Sequence, residues 1–255
     1  MKLYYLVDIN NAFASFEQIF RPDLRGKALA ISGVNNGNII ARSDAAKSMG
    51  VKMGQPVFEV RDLVARRKLI VMQANYPLYL AQHERFVNTL ASEFPFISPY
   101  SIDEIFATTD IDMKPGDGDS YARQVQGSLQ RQLRLSTGIG IGVTPTIAKL
   151  GSYWAKKHKR ATGCVLELTD PKRLMNALKL TPTDEVWGIG RRIAARLKVM
   201  GIENAWQFST ANPALIRKDF GVTLLRTYME LNGPACIDVG ETTVAKQKIG
   251  PSRSF

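Results

Sequence analysis

The chain of 255 residues carries 34 lysines and arginines against 23 aspartates and glutamates, and 45% of its residues are hydrophobic. This composition is typical of a folded soluble protein and excludes disorder as the main state, because disordered chains are poorer in apolar residues. The two cysteines, Cys164 and Cys236, exclude a disulfide scaffold and a four-ligand zinc site, so we expect buried thiols in a reducing cytosol. No apolar run approaches the roughly 18 to 20 residues that span a bilayer, so we expect a cytoplasmic protein without membrane contact.

The net charge of +11 is concentrated in the second part of the chain. Residues 1–144 carry 16 basic and 14 acidic side chains, whereas residues 145–255 carry 18 and 9. A strong basic excess favours binding to a polyanion. Basic residues can also simply solubilise a surface, but that alternative does not explain the asymmetry. We therefore expect the second part to bind a polyanion and the first part to have a different task.

The first predicted elements are a buried strand and an amphipathic helix. Residues 3–7 are apolar and β-prone and stop at Asp8, and the apolar positions over 12–20 lie on one helical face. Asn10 and Asn11 are good N-caps for that helix. Short elements then fill about 14–76 and indicate a subdomain: strands at 28–32 and 39–41, a turn-rich loop at 33–37, and helices at 43–49 and 54–67.

The middle of the chain predicts longer elements. They are a helix at 77–93, strands at 96–100 and 105–108, a loop at 112–119, a helix at 120–134, a strand at 137–143, a helix from Thr144-Pro145 to about His158, and a strand at 164–168. In the strand at 137–143 isoleucines alternate with glycines, so we expect another element to pack closely on the glycine face. Only helices are predicted beyond about 170. The pattern predicts an α+β fold with a mixed or antiparallel sheet and helices on one face.

Three carboxylates are candidates for a metal site: Asp8 and the pair Asp103-Glu104. Mg²⁺ prefers carboxylate oxygens and leaves positions for water and substrate phosphates, and two such ions about 4 Å apart can assist a phosphoryl displacement. Asp103 and Glu104 can share a site only at a hairpin turn, because neighbours on a regular strand point to opposite faces. Acidic residues at strand ends are also commonly just solvated, and the spacing alone leaves both interpretations open.

A Gly-x-Gly turn, Gly188 and Gly190, precedes a helix that carries Arg191 and Arg192. Such a turn presents free backbone N–H groups and the positive end of the helix dipole, which bind a phosphate oxygen without reading sequence. The alternative is an ordinary glycine turn before a solvated basic face. The concentration of basic residues favours binding to the DNA backbone.

A further basic cluster lies on and after the helix that begins at Thr144-Pro145. Its members are Lys149, Lys156, Lys157, Lys159 and Arg160. One lysine can reach a nucleotide triphosphate or a phosphodiester as a point charge. A solvated helix end, where the dipole favours cations, is the alternative.

Five stretches in this order, taken together, resemble the Y-family translesion DNA polymerases, most closely their UmuC-like branch. The stretches are Asp8-Ile9-Asn10-Asn11-Ala12-Phe13-Ala14-Ser15, the segment 40–54, Tyr100-Ser101-Ile102-Asp103-Glu104, the segment 140–150, and Val186-Trp187-Gly188-Ile189-Gly190. They span most of the chain. The resemblance implies a palm at 1–13 and 77–167, inserted fingers at 14–76, a helical thumb with a helix-hairpin-helix at 168–240, and a linker at 241–255 toward a little-finger domain that this chain lacks.

The resemblance also implies roles for individual residues. Asp8, Asp103 and Glu104 match the catalytic, metal-binding carboxylates, with the Ile9 carbonyl as a backbone ligand and two Mg²⁺ ions as cofactor. Phe13 matches the steric gate that excludes a ribose 2′-OH. Lys156 matches a lysine that contacts the incoming triphosphate, and Arg42 and Lys47 lie on the segment that covers it. Ala12 and Asp44 depart from the family pattern, in which many relatives carry an aromatic residue and a tyrosine near these places.

The implied activity is error-prone, template-directed DNA synthesis for lesion bypass in the SOS response to DNA damage. A primer 3′-OH attacks the α-phosphate of a dNTP and pyrophosphate leaves. The expected partners are primer-template DNA and dNTPs, with accessory polymerase subunits and a sliding clamp bound through the C-terminal part that this chain lacks. One alternative is a truncated, non-catalytic DNA-binding or regulatory relative. Another is a nucleotidyl cyclase on a similar palm, which would have no need of a basic thumb.

Overall fold

A computed structural model describes residues 2–33, 37–109, 113–114 and 116–239. The strands in these residues are β1 Tyr4–Ile9, β2 Leu29–Ser32, β3 Ile39–Arg42, β4 Ile70–Gln73, β5 Phe96–Pro99, β6 Glu104–Thr108, β7 Thr137–Gly142 and β8 Val165–Glu167. The α-helices are α1 Ala12–Phe20, α2 Asp44–Ser48, α3 Arg61–Ala65, α4 Tyr76–Glu93, α5 Asp117–Leu133, α6 Pro145–Lys157, α7 Lys159–Thr162, α8 Pro171–Leu180, α9 Arg191–Val199, α10 Ala205–Ser209 and α11 Pro213–Leu231. The predicted linker at 241–255, and parts of the predicted loops at 33–37 and 112–119, lie outside the described residues.

The larger sheet has the strand order β5-β6-β1-β7-β8. All neighbours are antiparallel except β7 and β8, which run parallel, so the predicted α+β class with a mixed sheet is confirmed. The central strand β1 is buried along almost its whole length. Its register places Asp8 opposite Glu104 of β6 on one side and opposite Gly138 of β7 on the other.

The helices do not all lie on one face of this sheet, so that part of the prediction is wrong. Ile139 and Ile141 of β7 belong to the core that also contains Phe86 of α4 and Val125 of α5. Helix α6 packs on the opposite face, because β7 presents only glycines there. A Cβ added to Gly140 would overlap backbone atoms of α6. The predicted close approach on the glycine face is therefore confirmed.

The smaller sheet, β3-β2-β4, lies within the predicted 14–76 block. Strand β4 was not predicted, since it is four residues long and its parallel partner β2 lies far away in sequence. The predicted helix over 54–67 is also wrong. A 3-10 turn at Val57–Val60 and the short α3 stand there, because the backbone of Gly54 and Gln55 forms hydrogen bonds with Ile39 and cannot join a helix.

The segment after β8 is helical, as predicted, over its described residues. Helices α8 to α11 share an apolar core that includes Ile147 and Leu150 of α6 and Ile189 before α9. This core joins the helical segment to the α6 side of the sheet. No helix of the described residues combines the length and apolar character needed to cross a membrane. Cys164 and Cys236 are partly exposed, so the expected buried thiols are not found.

Candidate active site and nucleic-acid interface

The three predicted carboxylates lie on neighbouring stretches of backbone, where β1 meets the turn before β6. The sheet register sets Asp8 beside Glu104, and the N–H of Ile9 donates to the carbonyl oxygen of Asp103 at 2.9 Å. The Ser101 hydroxyl donates to the Asp103 carboxylate at 2.6 Å and accepts from the N–H of Glu104 at 3.0 Å. The hairpin needed to bring Asp103 and Glu104 together is therefore present.

Helix α6 brings two lysines to these carboxylates. Lys149 and Lys156 are seven residues apart, which is close to two turns, so both side chains lie on one helix face. Lys156 forms an ion pair with Asp8, and Lys149 donates to both oxygens of Glu104 at 3.0 and 3.2 Å. The other members of the predicted cluster point elsewhere: Lys157 donates to the Tyr153 hydroxyl, Lys159 pairs with Asp44, and Arg160 is exposed.

Asp8 lies in an electrostatically unfavourable place for an anion. Its exposed fraction is only 7%. The pKa of Asp8 is raised to about 6, mainly by burial; the Lys156 ammonium opposes this rise, and the negative charges of Glu104 and Asp103 add to it. A cation bound at this place would therefore stabilise the ionised carboxylate.

The donor set fits Mg²⁺ chemically, since all the groups are hard carboxylate or carbonyl oxygens. In the part of the chain that the structure describes, no three Asp, Glu, His or Cys side chains are turned toward one point as a ready metal cage. The reason is that each carboxylate is held by another partner: Lys156 holds Asp8, Lys149 holds Glu104 and Ser101 holds Asp103. The ligand roles of Asp8, Ile9, Asp103 and Glu104 stay predictions.

A cleft of about 300 Å³, which we call the carboxylate cleft, collects most of the predicted site residues. They come from β1, α1, β3, α2, the turn before β6, and α6. Its lining includes Asp8, Ile9, Phe13, Arg42, Lys47, Asp103 and Lys156. Glu104 lines a neighbouring cleft of about 480 Å³, here called the aromatic cleft, together with Asp8, Lys149, Lys156 and Trp187. The two clefts share Asp8 and Lys156 and so meet at the carboxylates.

The Phe13 ring is held rigidly at the edge of the carboxylate cleft. It stacks on Tyr79 with a centroid distance of 4.4 Å and an interplanar angle of 12°, and its edge meets Tyr76. Tyr79 is fully buried, and its hydroxyl donates to Glu17 at 3.0 Å. A ring that packs against two tyrosines can act as a steric limit for whatever enters the cleft.

Asn11 lines the carboxylate cleft together with the basic residues Arg42 and Lys47. The predicted capping role of Asn11 is wrong: it stands at the N-cap of α1, but with φ of 54° and without a side-chain capping bond. Its amide instead donates to Asp44 at 3.2 Å and accepts from Lys47 at 2.5 Å. Lys159 also binds Asp44 at 2.5 Å, and this hydrogen bond holds the pKa of Asp44 below its usual value. Arg42 donates to the Val51 carbonyl at 2.7 Å.

The turn before α9 has the predicted features of a phosphate site. Gly188 has φ of 85°, a backbone conformation that favours glycine, and Gly190 is an N-cap without a side-chain capping bond. Glycine has no side chain that could cap the first N–H groups of α9, and Arg191 and Arg192 are exposed beside them. Since Trp187 lines the aromatic cleft, this turn begins at the wall of the candidate site.

Comparison with known proteins identifies the family of the chain. The family model described as the impB/mucB/samB family matches residues 7–153, which is more than half of the chain. The chain belongs to this family. It is 41% identical over 253 residues to Protein MucB of Escherichia coli and 37% identical over 253 residues to Protein UmuC of Salmonella typhimurium strain LT2. Each alignment covers 99% of this chain and 60% of the relative, so the chain spans about three fifths of the length of these relatives.

A solved structure, the insertion ternary complex of Dbh DNA polymerase, has the same fold. The TM-score is 0.77 at 23% sequence identity, over 92% of this chain and 69% of the other. At this identity the likeness establishes the fold alone. The palm-like α+β fold expected from the resemblance to Y-family polymerases is thus confirmed for this member of the impB/mucB/samB family.

Sequence reasoning gave no individual role to three residues of this candidate site, Tyr100, Lys149 and Trp187. Lys149 belongs to the predicted basic cluster and to the matching segment 140–150, and Tyr100 and Trp187 belong to other matching stretches, but the sequence predicts no contact among them. The structure puts the Lys149 ammonium 4.6 Å from the centre of the Tyr100 ring and 5.6 Å from that of Trp187. An available signal was the seven-residue spacing of Lys149 and Lys156, which places both on one face of α6.

Proposed function

We propose that the chain carries the catalytic core of a template-directed, error-prone DNA polymerase of the lesion-bypass type. In this proposal it transfers a nucleotidyl group from a dNTP to a primer 3′-OH with the help of Mg²⁺. The observation that carries the proposal is the carboxylate cleft. It gathers acidic, aromatic and basic residues that lie as far apart in sequence as Asp8 and Lys156, and each group suits one part of a nucleotide at a metal-dependent site.

The chain's own residues would do most of the work by binding and positioning. Phe13 would lie against the sugar and exclude a 2′-OH, while Arg42, Lys47 and Lys156 would neutralise the triphosphate. The free N–H groups and arginines at the start of α9 would bind the DNA backbone. Mg²⁺ held by Asp8, the Ile9 carbonyl, Asp103 and Glu104 would supply charge neutralisation at the α-phosphate and at the primer oxygen. The new bond joins the 3′-oxygen to the α-phosphorus, the bond to pyrophosphate breaks, and the proton of the 3′-OH passes to water.

The proposed organisation follows the resemblance. Residues 1–13 and 77–167 form the palm, 14–76 the fingers and 168–240 the thumb, with a linker at 241–255. The two sheets and the helical segment are consistent with these boundaries. Because the relatives are longer than this chain, accessory subunits and a sliding clamp are proposed as partners of the corresponding longer protein.

A primer-extension assay tests the proposal. We expect wild-type chain to add dNTPs to a labelled primer on its template in the presence of Mg²⁺. Asp103→Ala and Glu104→Ala are each expected to lower the rate by at least about 100-fold, while primer-template affinity changes little. Glu84→Ala, an exposed change on α4, is the matched control.

The possible outcomes separate the candidate functions. Extension that is unchanged in Asp103→Ala and Glu104→Ala would show that the site is assigned wrongly. Salt-sensitive binding of primer-template without any incorporation by the wild-type chain would favour the non-catalytic DNA-binding relative.

Replacing Phe13 with valine is expected to raise ribonucleotide incorporation relative to deoxynucleotide incorporation by about tenfold or more. The smaller side chain removes the ring that Tyr79 holds in the cleft, and so makes room for a 2′-OH. The ratio of rates for UTP and dTTP measures the effect. Phe58→Val, at an exposed aromatic residue, is the control, and an unchanged ratio in Phe13→Val would refute the steric-gate role.

Replacing Arg191 and Arg192 with glutamine is expected to weaken primer-template binding equally for all sequences. The plot of log K against log salt concentration has a negative slope, and each lost phosphate contact should make it shallower by about 0.9. Fluorescence anisotropy of labelled duplex at several salt concentrations measures the slope. Arg66→Gln, an exposed arginine after α3, is the control. A slope that stays at the wild-type value would exclude this helix end as a backbone contact.

A further inference from the structure

Glu104 is bound on one side by an ammonium that the proposed reaction does not require. Lys149 donates to both Glu104 oxygens, and the two side chains are only about one fifth exposed (19% and 21%). A lysine has a long, flexible side chain, so keeping it in one orientation requires additional contacts. What restrains Lys149 therefore also determines where the Glu104 carboxylate points.

Two aromatic rings provide that restraint. The Lys149 ammonium lies 4.6 Å from the ring centre of Tyr100 and 5.6 Å from that of Trp187, within the range of cation–π attraction. The two rings meet at 88° with centroids 5.7 Å apart, and the Trp187 indole N–H donates to the Tyr100 hydroxyl at 3.2 Å. Phe106 contacts both rings at the same centroid distance. We call the three rings of Tyr100, Phe106 and Trp187 the aromatic corner. The Lys149 ammonium thus lies between the Glu104 carboxylate and this corner.

Lys149 and the three rings of the aromatic corner come from three separate segments. Tyr100 and Phe106 belong to the β5–β6 hairpin, whose backbone also carries Glu104: the Tyr100 N–H donates to the Glu104 carbonyl at 2.9 Å. Lys149 comes from α6. Trp187 comes from the helical segment and directly precedes Gly188 of the turn that begins α9. A displacement of that turn would move the indole away from the ammonium.

We propose that Lys149 is a positioning residue for the Glu104 carboxylate, and that Tyr100 and Trp187 make its position depend on the glycine turn before α9. In this arrangement the turn that meets the DNA backbone also holds one carboxylate of the active site. The carboxylate is correctly oriented only while the turn is in place. The inference rests on the proposed polymerase function for its kinetic consequence, but the contacts themselves are independent of that function.

The kinetic test compares three substitutions at saturating primer-template. Lys149→Met and Trp187→Leu are each expected to lower kcat about tenfold, with KM for the dNTP within about twofold of wild type. Trp187→Phe keeps a ring beside the ammonium and should recover most of kcat. Lys68→Met removes an exposed lysine between α3 and β4, outside the described lining of either cleft, and is the charge-matched control. Equal kcat in Trp187→Leu and wild type would overturn the inference.

A second test does not need activity. The chain has three tryptophans, so 5-fluorotryptophan labelling gives three ¹⁹F resonances, and Trp187→Phe identifies the one of interest. Glu104→Gln should shift the Trp187 resonance when Lys149 is present. It should not shift that resonance in the Lys149→Met background, because Lys149 is the contact between the Glu104 carboxylate and the Trp187 ring. The same shift in both backgrounds, or no shift in either, would overturn the inference. A wild-type chain that shows this coupling but no extension would refute the proposed function alone.

Discussion

Replacing Gly140 with alanine is expected to lower the free energy of unfolding by at least about 3 kcal/mol and to abolish primer extension. The added Cβ would overlap the backbone nitrogen of Ser152 and the carbonyl oxygen of Ala148. Backbone atoms of a helix cannot rotate away as a side chain can. Helix α6 would have to move off the sheet and take Lys149 and Lys156 away from the carboxylates.

Denaturant unfolding followed by circular dichroism measures this effect. Gly127→Ala is a matched control, because Gly127 lies inside α5 and an added Cβ would meet only the flexible end of Arg131 at 3.2 Å. Alanine is the better helix former by about 0.8 to 1 kcal/mol, so this variant should be as stable as wild type or more stable. Equal stability of Gly140→Ala and wild type would show that α6 does not pack on β7 in this way.

Replacing Asp8 with asparagine is expected to lower primer extension by at least about 1,000-fold without destabilising the fold. Asparagine keeps the shape but loses the charge that a metal ion needs. Burial raises the pKa of Asp8 although Lys156 is its partner, so the ionised carboxylate costs the folded state free energy at neutral pH. The free energy of unfolding should therefore stay unchanged or rise by up to about 2 kcal/mol.

Extension rate and denaturant unfolding, measured on the same preparation at neutral pH, check both parts of this expectation. Asp62→Asn, an exposed change on α3, controls for the loss of one negative charge. A loss of several kcal/mol of stability in Asp8→Asn would contradict the prediction, since it would mean that the pair with Lys156 stabilises the fold. Retained extension would remove Asp8 from the proposed metal site.

Elements with a strong local pattern were predictable. Strand β1 follows from an apolar run, α1 from apolar positions on one face, and α6 from its Thr144-Pro145 beginning, where the Thr144 side chain accepts from the N–H of Ile147. Strand β4 was missed because its hydrogen bonds go to β2, about forty residues earlier. The helix over 54–67 failed for a related reason: the backbone of Gly54 and Gln55 is already bound to β3.

Asp8, Asp103 and Glu104 could be named as site candidates from the sequence because they lie in the stretches that resemble Y-family polymerases; their spacing alone left a solvated surface equally open. Their partners could not be named. Lys149 is 45 residues from Glu104, and Trp187 is 87 residues from Tyr100. Such contacts depend on sheet register and on the face against which α6 packs.

Local pattern and residue chemistry were enough to predict the class of fold, the family resemblance, the acidic and basic parts of the chain and the candidate site residues. The three-dimensional structure was needed to show that α6 crosses the face opposite α4 and α5, that Asn11 bonds to Asp44 and Lys47, and that the rings of Tyr100 and Trp187 lie beside Lys149. These three features share one cause. Long-range contacts form where the glycines of β7 allow a helix to come close and where buried charges need a partner.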